Sequence, residues 1–240
     1  MIRFVTETGS TNSDIAARLN SREAVPEGEW LVADRQVSGR GRQGRAWFDG
    51  SGNFMGSTVV HLAPRDPNAA TLALVAGLAA YEAVSALLAD PSQLNLKWPN
   101  DLMLAGAKLA GILLEREGDA IIVGMGINLT AAPELPDRKT ISLSAFGPPP
   151  DRDMFARSLA SAFDQEVERW RAYGLEPLIR RWESIAHSKG ASLTVNPPGE
   201  PRVEGTFNGL SADGALSLRL EDGSTRVIHA GDVMLVNEGN

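Results

Sequence analysis

Residues 69–89 carry one charged side chain, Glu82, in twenty-one positions. No other stretch constrains the fold so tightly, because a run of that length either crosses a bilayer or lies buried as a helix against other elements. A carboxylate at mid-span would cost roughly 2.5–3.5 kcal/mol on insertion scales. Alanine is the commonest residue of the run and offers little apolar surface in return, and no basic flank anchors either end. The expectation is a buried helix packed on a sheet. The start, Met1-Ile2-Arg3-Phe4-Val5-Thr6, has a single basic residue and no apolar core of signal-peptide length, so the chain is read as cytoplasmic.

On both sides of that run the texture is strand-like. Trp30-Leu31-Val32-Ala33 opens one apolar run, and Thr58-Val59-Val60-His61-Leu62 is a β-branched run closed by Pro64. Leu94 to Trp98 alternates, breaks at Pro99-Asn100 and resumes at Asp101-Leu102-Met103-Leu104. Leu109–Glu115 and Ala120–Ile127 read as neighbouring strands joined by a turn at Glu117-Gly118-Asp119. Gly147-Pro148-Pro149-Pro150 is a hard stop. Behind it, Asp151 or Asp153 can cap a helix with Phe155, Leu159, Ala162, Phe163, Val167 and Trp170 on one face, and a second helix runs from Gly174 to about His187. From Ala191 short strands alternate with turns: Leu193–Val195, Val203–Phe207, Ala215–Leu220, Thr225–His229 and Val233–Val236. The reading is α+β: a mixed β-sheet with helices packed on it over residues 1–188, and a small β-barrel over 189–240.

Composition narrows the chemistry. With no cysteine there is no thiolate nucleophile, disulfide, iron–sulfur cluster or Cys-ligated zinc. With 23 basic and 30 acidic residues the net charge is −7, which argues against a general nucleic-acid binder. A local basic patch is nevertheless present. Arg35, Arg40, Arg42 and Arg45 fall within eleven positions together with Gly39, Gly41 and Gly44, and no acidic residue intervenes before Asp49. Glycines let a phosphate reach backbone N–H groups while guanidinium forks close round it. The Gly39-x-Gly41-x-x-Gly44 spacing also matches the dinucleotide fingerprint, but that motif needs a helix opening at its third glycine and residues 45–50 offer none.

Four more segments carry candidate chemistry. Lys97-Trp98-Pro99-Asn100-Asp101 presents an amide and a carboxylate at a strand break; it suits a magnesium ligand facing phosphates, or a plain turn. Lys108 stands at the mouth of an apolar strand, with Ala110 and Gly111 leaving room beside it. Gly124 and Gly126 alternate within a buried strand, for which close approach of a ligand and a β-bulge are equal explanations. Ser10, Thr11 and Asn12 can cap a helix or hold a small polar head group.

In order and spacing these segments, Ser-Thr-Asn, Gly-Arg-Gly-Arg-x-Gly-Arg-x-Trp, Lys-Trp-Pro-Asn-Asp, Lys-x-Ala-Gly-Ile-Leu and Gly-x-Gly-Ile-Asn, closely resemble the biotin protein ligase family over residues 10–129. The resemblance implies a catalytic domain followed by an SH3-like module. It also implies a two-step reaction: biotin and ATP give biotinyl-5′-AMP and pyrophosphate, and a lysine of a biotin carboxyl carrier protein of acetyl-CoA carboxylase then displaces AMP. By position it implies that Ser10, Thr11, Asn12, Gln36, Gly39, Arg40, Lys108, Gly111 and Met125 bind biotin. Arg40, Gly41, Arg42, Trp47, Lys108 and Asn128 would bind ATP or the adenylate, with Lys108, Arg40 and Arg42 catalytic and Asp101 holding Mg²⁺. Some members carry an N-terminal DNA-binding domain; nine residues before Ser10 cannot build one, so no nucleic-acid partner is expected, and no membrane partner. Monomer and homodimer both stay open. A lipoate or octanoate ligase or transferase, and a biotin-binding sensor without turnover, are the competing readings.

Overall fold

The computed structural model describes residues 1–235, so Val236, the predicted end of the last strand, lies outside the described residues. A seven-stranded mixed sheet forms the first unit. Its strands are β1 (Ile2–Thr8), β2 (Trp30–Gln36), β3 (Phe54–His61), β4 (Leu94–Lys97), β5 (Asp101–Leu104), β6 (Ala107–Glu117) and β7 (Ala120–Ile127). They lie in the order β1-β2-β3-β7-β6-β5-β4, with β1 and β2 parallel and every other pair antiparallel. Helix α1 (Thr11–Asn20) covers one face; α2 (Leu72–Ser85), α3 (Arg152–Tyr173) and α4 (Leu175–Ser184) build the other.

The apolar run is the helix the sequence predicts, preceded by a short 3₁₀ turn at Ala69–Thr71. Ten of its residues are buried, among them Leu72, Leu74, Val75, Leu78 and Val84, which explains the near absence of charge on any face. Glu82 faces Arg181 at 2.6 Å, and Arg181 also pairs with the fully buried Glu166 at 2.6 Å. Burial first, then the Glu166 charge, push the Glu82 carboxyl above its ordinary pKa against the pull of Arg181. Among the described residues no helix is long and apolar enough to cross a membrane.

Side-chain alternation divides the sheet. In β7, Ile121, Val123, Met125 and Ile127 point into the large core under α2 and α3, whereas Ala120 and Ile122 join Ile15, Leu31 and Val59 under α1. Gly124 and Gly126 therefore lie on the α1 face, as Ser57 does in β3. Asp151 caps α3 by accepting from the Met154 N–H at 2.8 Å, which decides between the two candidate caps. Helix α4 ends at Ser184, short of His187, because residues 185 and 186 turn to pair with β4. Strand β1 was not distinguished by sequence; it is an edge strand whose pattern is only half-buried.

The second unit is an antiparallel sheet of β8 (Ser192–Asn196), β9 (Val203–Leu210), β10 (Leu216–Arg219), β11 (Thr225–Ile228) and β12 (Asp232–Leu235), in the order β11-β10-β9-β8-β12. The expected small β module is thus present as an antiparallel sheet, and its two outer strands do not pair to close a barrel among the described residues.

His187 lies where the units meet, its ring 5.8 Å from that of Phe207. Burial, helped by the charge of Lys97, lowers its pKa to about 4. An unfolded histidine takes up its proton near pH 6.5, while the folded one does so only near 4. Between those values the unfolded chain binds more protons, so stability falls as pH drops through that window, by up to about 3 kcal/mol. His187→Gln should flatten that limb. Urea unfolding at pH 7 and pH 4.5 checks this, and an unchanged difference between the two pH values would contradict it.

Candidate active site

The α1 face of β3, β7 and β6 forms a floor. Gly124 stands opposite Ser57 on β3, and Gly126 opposite Gly111 on β6, in unbroken register along both sides of β7. No bulge exists there. The glycines are required by close approach of the protein's own side chains: a Cβ on Gly124 would strike the Asn12 amide, and one on Gly126 would lie inside the Trp47 indole.

At one end of this floor the start of α1 presents a polar cluster. Ser10 is at the N-cap position but its hydroxyl makes no capping bond, and Thr11 and Asn12 belong to the helix. The Thr11 N–H donates to Gln36 Oε1 at 2.7 Å, and Thr11 Oγ1 lies 3.0 Å from the same atom and 2.6 Å from Ser57 Oγ. Ser57 Oγ donates to Asn12 Oδ1 at 2.5 Å, and Asn12 Nδ2 donates to Glu115 Oε2 at 2.7 Å. All of these residues except Glu115 are buried.

The Gly/Arg segment is a small hairpin bridged at Arg40 and Ala46, with Gly41 N–H donating to Arg45 O at 2.7 Å and Trp47 N–H to Gly39 O at 2.9 Å. Its tip, Arg42–Gly44, turns through left-handed Gln43 and Gly44 (φ 57° and 71°). The four arginines separate. Arg35 pairs with Glu7 and Asp49 outside the cavity; Arg40 pairs with Glu115 at 2.9 Å; Arg42 donates to Asn100 Oδ1 and Gly231 O, both at 3.1 Å; Arg45 pairs with Asp232. Burial lowers the Arg42 pKa, and Asp232 and Asp101 oppose that shift.

At the same end, Lys108 Nζ lies 2.6 Å and Lys97 Nζ 3.4 Å from the Asp101 carboxylate. Burial opposes ionisation of Asp101, but the two lysines, Lys108 foremost, outweigh it and hold its pKa below the ordinary carboxylate value. Asp101 is thus the counter-ion of two ammonium groups. Among the described residues no three His, Asp or Glu side chains gather to hold a metal by themselves. This donor set does not make a resident metal site, whereas Mg²⁺ arriving on a nucleotide needs only one carboxylate besides phosphates and water.

Of the predicted site residues, Ser10, Thr11, Asn12, Gln36, Arg40, Gly41, Arg42, Trp47, Asp101, Lys108, Gly111, Met125 and Asn128 line one cavity of about 680 Å³. Gly39 does not line it; it packs between Gln36 and Trp47. Met125 borders the cavity while its side chain belongs to the core. Trp47 lies against Gly111 and Gly126, with Lys108 Nζ 5.7 Å from its ring centroid. Asn128 donates to Ile141 O at 3.1 Å, and its buried Oδ1 finds no partner among the described residues. Sequence reasoning missed Ser57, Arg138 and Asp232, which also line the cavity. Ser57 had a signal, a polar residue on the same strand face as Val59. Arg138 and Asp232 belong to no motif.

The cavity therefore joins a neutral polar end to a cationic end across a glycine floor, the layout of an enzyme that activates a small acid with a nucleotide. Residues 5–129 match the model of the biotin/lipoate A/B protein ligase family, and residues 194–236 match that of the biotin protein ligase C-terminal domain. The chain belongs to the biotin/lipoate A/B protein ligase family. It is 36% identical to the biotin--[acetyl-CoA-carboxylase] ligase of Mycobacterium tuberculosis, over 96% of this chain and 87% of that one. It is 35% identical to the enzyme of the same name from Paracoccus denitrificans, over 96% and 98%. The solved biotin protein ligase from Aquifex aeolicus in complex with biotin and ATP superposes with a TM-score of 0.86 at 27% identity, covering 98% of this chain and 99% of that one.

Proposed function

We propose that this protein is an ATP-dependent biotin protein ligase that makes biotinyl-5′-AMP and transfers the biotinyl group to a lysine of the biotin carrier of acetyl-CoA carboxylase. The observation that carries this reading is the single cavity in which the polar cluster of Ser10, Thr11, Asn12 and Gln36 is continuous with Lys108, Arg40 and Arg42. A cyclic urea offers one carbonyl and two N–H groups, which suits the amides and hydroxyls of that cluster. The ring's carboxylate tail would then run along the Trp47 indole, which covers Gly111 and Gly126, towards Lys108.

There two anions must meet. A carboxylate oxygen of biotin attacks the α-phosphorus of ATP, the new O–P bond forms, and the bond to pyrophosphate breaks. Six cationic side chains line the cavity, Arg40, Arg42, Arg45, Lys97, Lys108 and Arg138, against three carboxylates, Asp101, Asp137 and Asp232. That positive excess offsets the repulsion of the reactants and the charge on the transferring phosphoryl group. Mg²⁺ enters with ATP as part of the substrate, and Asp101 is the protein carboxylate we assign to it. Trp47 and the hairpin would cover the adenylate and keep water from the mixed anhydride, with Asn128 Oδ1 on the adenine side. In the second step the carrier's lysine, as free amine, attacks the acyl carbon, the acyl C–O bond breaks so that AMP leaves with its oxygen, and the nitrogen gives up a proton to water as the amide forms. The reaction belongs in the cytoplasm, where ATP is at hand.

We also propose the division at residues 188/189. It is supported by backbone pairing, since Ile185 and Ala186 bond to β4 while Gly190 and Ala191 bond to Phe207 in β9.

Pyrophosphate–ATP exchange with biotin, with lipoate and with neither tests the activity. Exchange that requires biotin is the expected result; exchange with lipoate alone, or tight biotin binding without exchange, overturns the assignment.

A further inference from the structure

Glu115 closes the segment that begins at Lys108, yet no step above uses it. It stands outside the cavity lining and joins two parts of the site. One carboxylate oxygen accepts from Arg40, through Nη2 at 2.9 Å and Nε at 3.2 Å, and the other accepts from Asn12 Nδ2 at 2.7 Å. We infer that Glu115 is a positioning residue that sets the hydrogen-bond direction through Asn12, Ser57 and Thr11, and thereby their part of the pattern of donors and acceptors that selects a urea. The inference rests on the biotin reading.

A carboxylate paired with arginine can only accept. The Asn12 amide must therefore turn its nitrogen to Glu115 and its oxygen to Ser57, 2.5 Å away, so Ser57 spends its one proton on Asn12. Ser57 Oγ can then only accept from Thr11 Oγ1 at 2.6 Å, so the single Thr11 hydroxyl proton is shared between Ser57 Oγ, the nearer acceptor, and Gln36 Oε1 at 3.0 Å. At the far end the Thr11 backbone N–H fixes Gln36 with its oxygen inward. The chain Thr11→Ser57→Asn12→Glu115 runs one way because its last member has no proton to give. What remains for a ligand is defined: lone pairs on Thr11 Oγ1, and unspent N–H groups on Asn12 and Gln36. Those complement the N–H groups and the carbonyl oxygen of a urea. The Asn12 amide lies over Gly124 and is held at both ends, by Glu115 and by Ser57, so a change in direction must appear in ligand choice.

Glu115→Gln keeps the shape but gives the last member a proton, so the chain no longer has a preferred direction. The probes are biotin and 2-iminobiotin, whose protonated imino group donates where the ureido oxygen accepts. Titration calorimetry of both ligands, with thermal unfolding as a check on the fold, reads the effect. In Glu115→Gln the affinity for biotin should fall about tenfold or more, and the ratio of biotin to iminobiotin affinity should narrow by a similar factor. Glu115→Asp, which keeps an acceptor-only group, should restore the ratio. A loss shared equally by both ligands, an unchanged ratio, or failure of Glu115→Asp to restore it would overturn the positioning role. Wild-type protein that binds no biotin would instead overturn the proposed function, and that failure is visible before any variant is made.

Discussion

Lys108→Ala should abolish biotin adenylation, lowering the single-turnover rate roughly 10²–10³-fold or more, as removal of one preorganised charge from a transition state does. The protein should stay folded at a measurable cost. Asp101 is buried and gives up Lys108 at 2.6 Å, keeping only Lys97 at 3.4 Å. A buried acceptor losing its main partner costs about 1–3 kcal/mol. The two losses can be separated. Adding Asp101→Asn removes the stranded charge, so Lys108→Ala/Asp101→Asn should regain most of the lost stability and none of the lost adenylation. The measurements are urea unfolding and the burst of adenylate from enzyme mixed with biotin and MgATP. If activity returned with stability, Lys108 would be a partner for Asp101 and no more. If Lys108→Ala adenylated normally, Lys108 would drop out of the mechanism altogether.

The same pair of residues shows what the sequence could and could not convey. Lys108 and Asp101 were legible as candidates because each sits at a strand end inside a compact motif. Their mutual contact was not, since it depends on β5 folding back on β6 with an irregular register between Leu102 and Met103. The helix over the apolar run was legible because being buried on nearly every side leaves few places for charge. The alternate glycines of β7 were legible as an anomaly, but whether a bulge or a close contact explained them depended on Asn12 and Trp47, more than seventy residues away in the chain. Strand β3 begins at Phe54, four residues before the predicted run, because Gly56 and Ser57 look like turn residues while the sheet uses them beneath the site. Hardest to foresee were the partners of the arginines. Arg42 meets Gly231 and Arg45 meets Asp232 only because the second sheet docks against the hairpin, and charge pattern alone does not encode that docking.

A substitution at Gly126 tests whether those glycines exist for the site. Gly126 is the penultimate residue of β7, paired on both sides with Met55 and Gly111, and its φ is not in the left-handed region, so alanine meets no backbone strain there. Gly in a strand interior is a weakness, and on backbone grounds Gly126→Ala should hold stability or raise it by about 0.5–1 kcal/mol. The methyl group, however, would fall within the Trp47 indole. That ring must leave the floor, and because Trp47 N–H is bonded to Gly39 O, the hairpin bearing Arg40 and Arg42 shifts with it. A displacement of about 1 Å in positioning groups can cost on the order of 10²-fold in rate, which is the loss expected in adenylation. Trp47→Ala should also lose activity, by removing the cover itself. The decisive measurement is the double variant. Where the indole is gone the alanine methyl has space, so Gly126→Ala/Trp47→Ala should be no slower than Trp47→Ala alone, a strongly non-additive result. Losses that multiply would mean that Gly126 makes room for the substrate directly and not for Trp47.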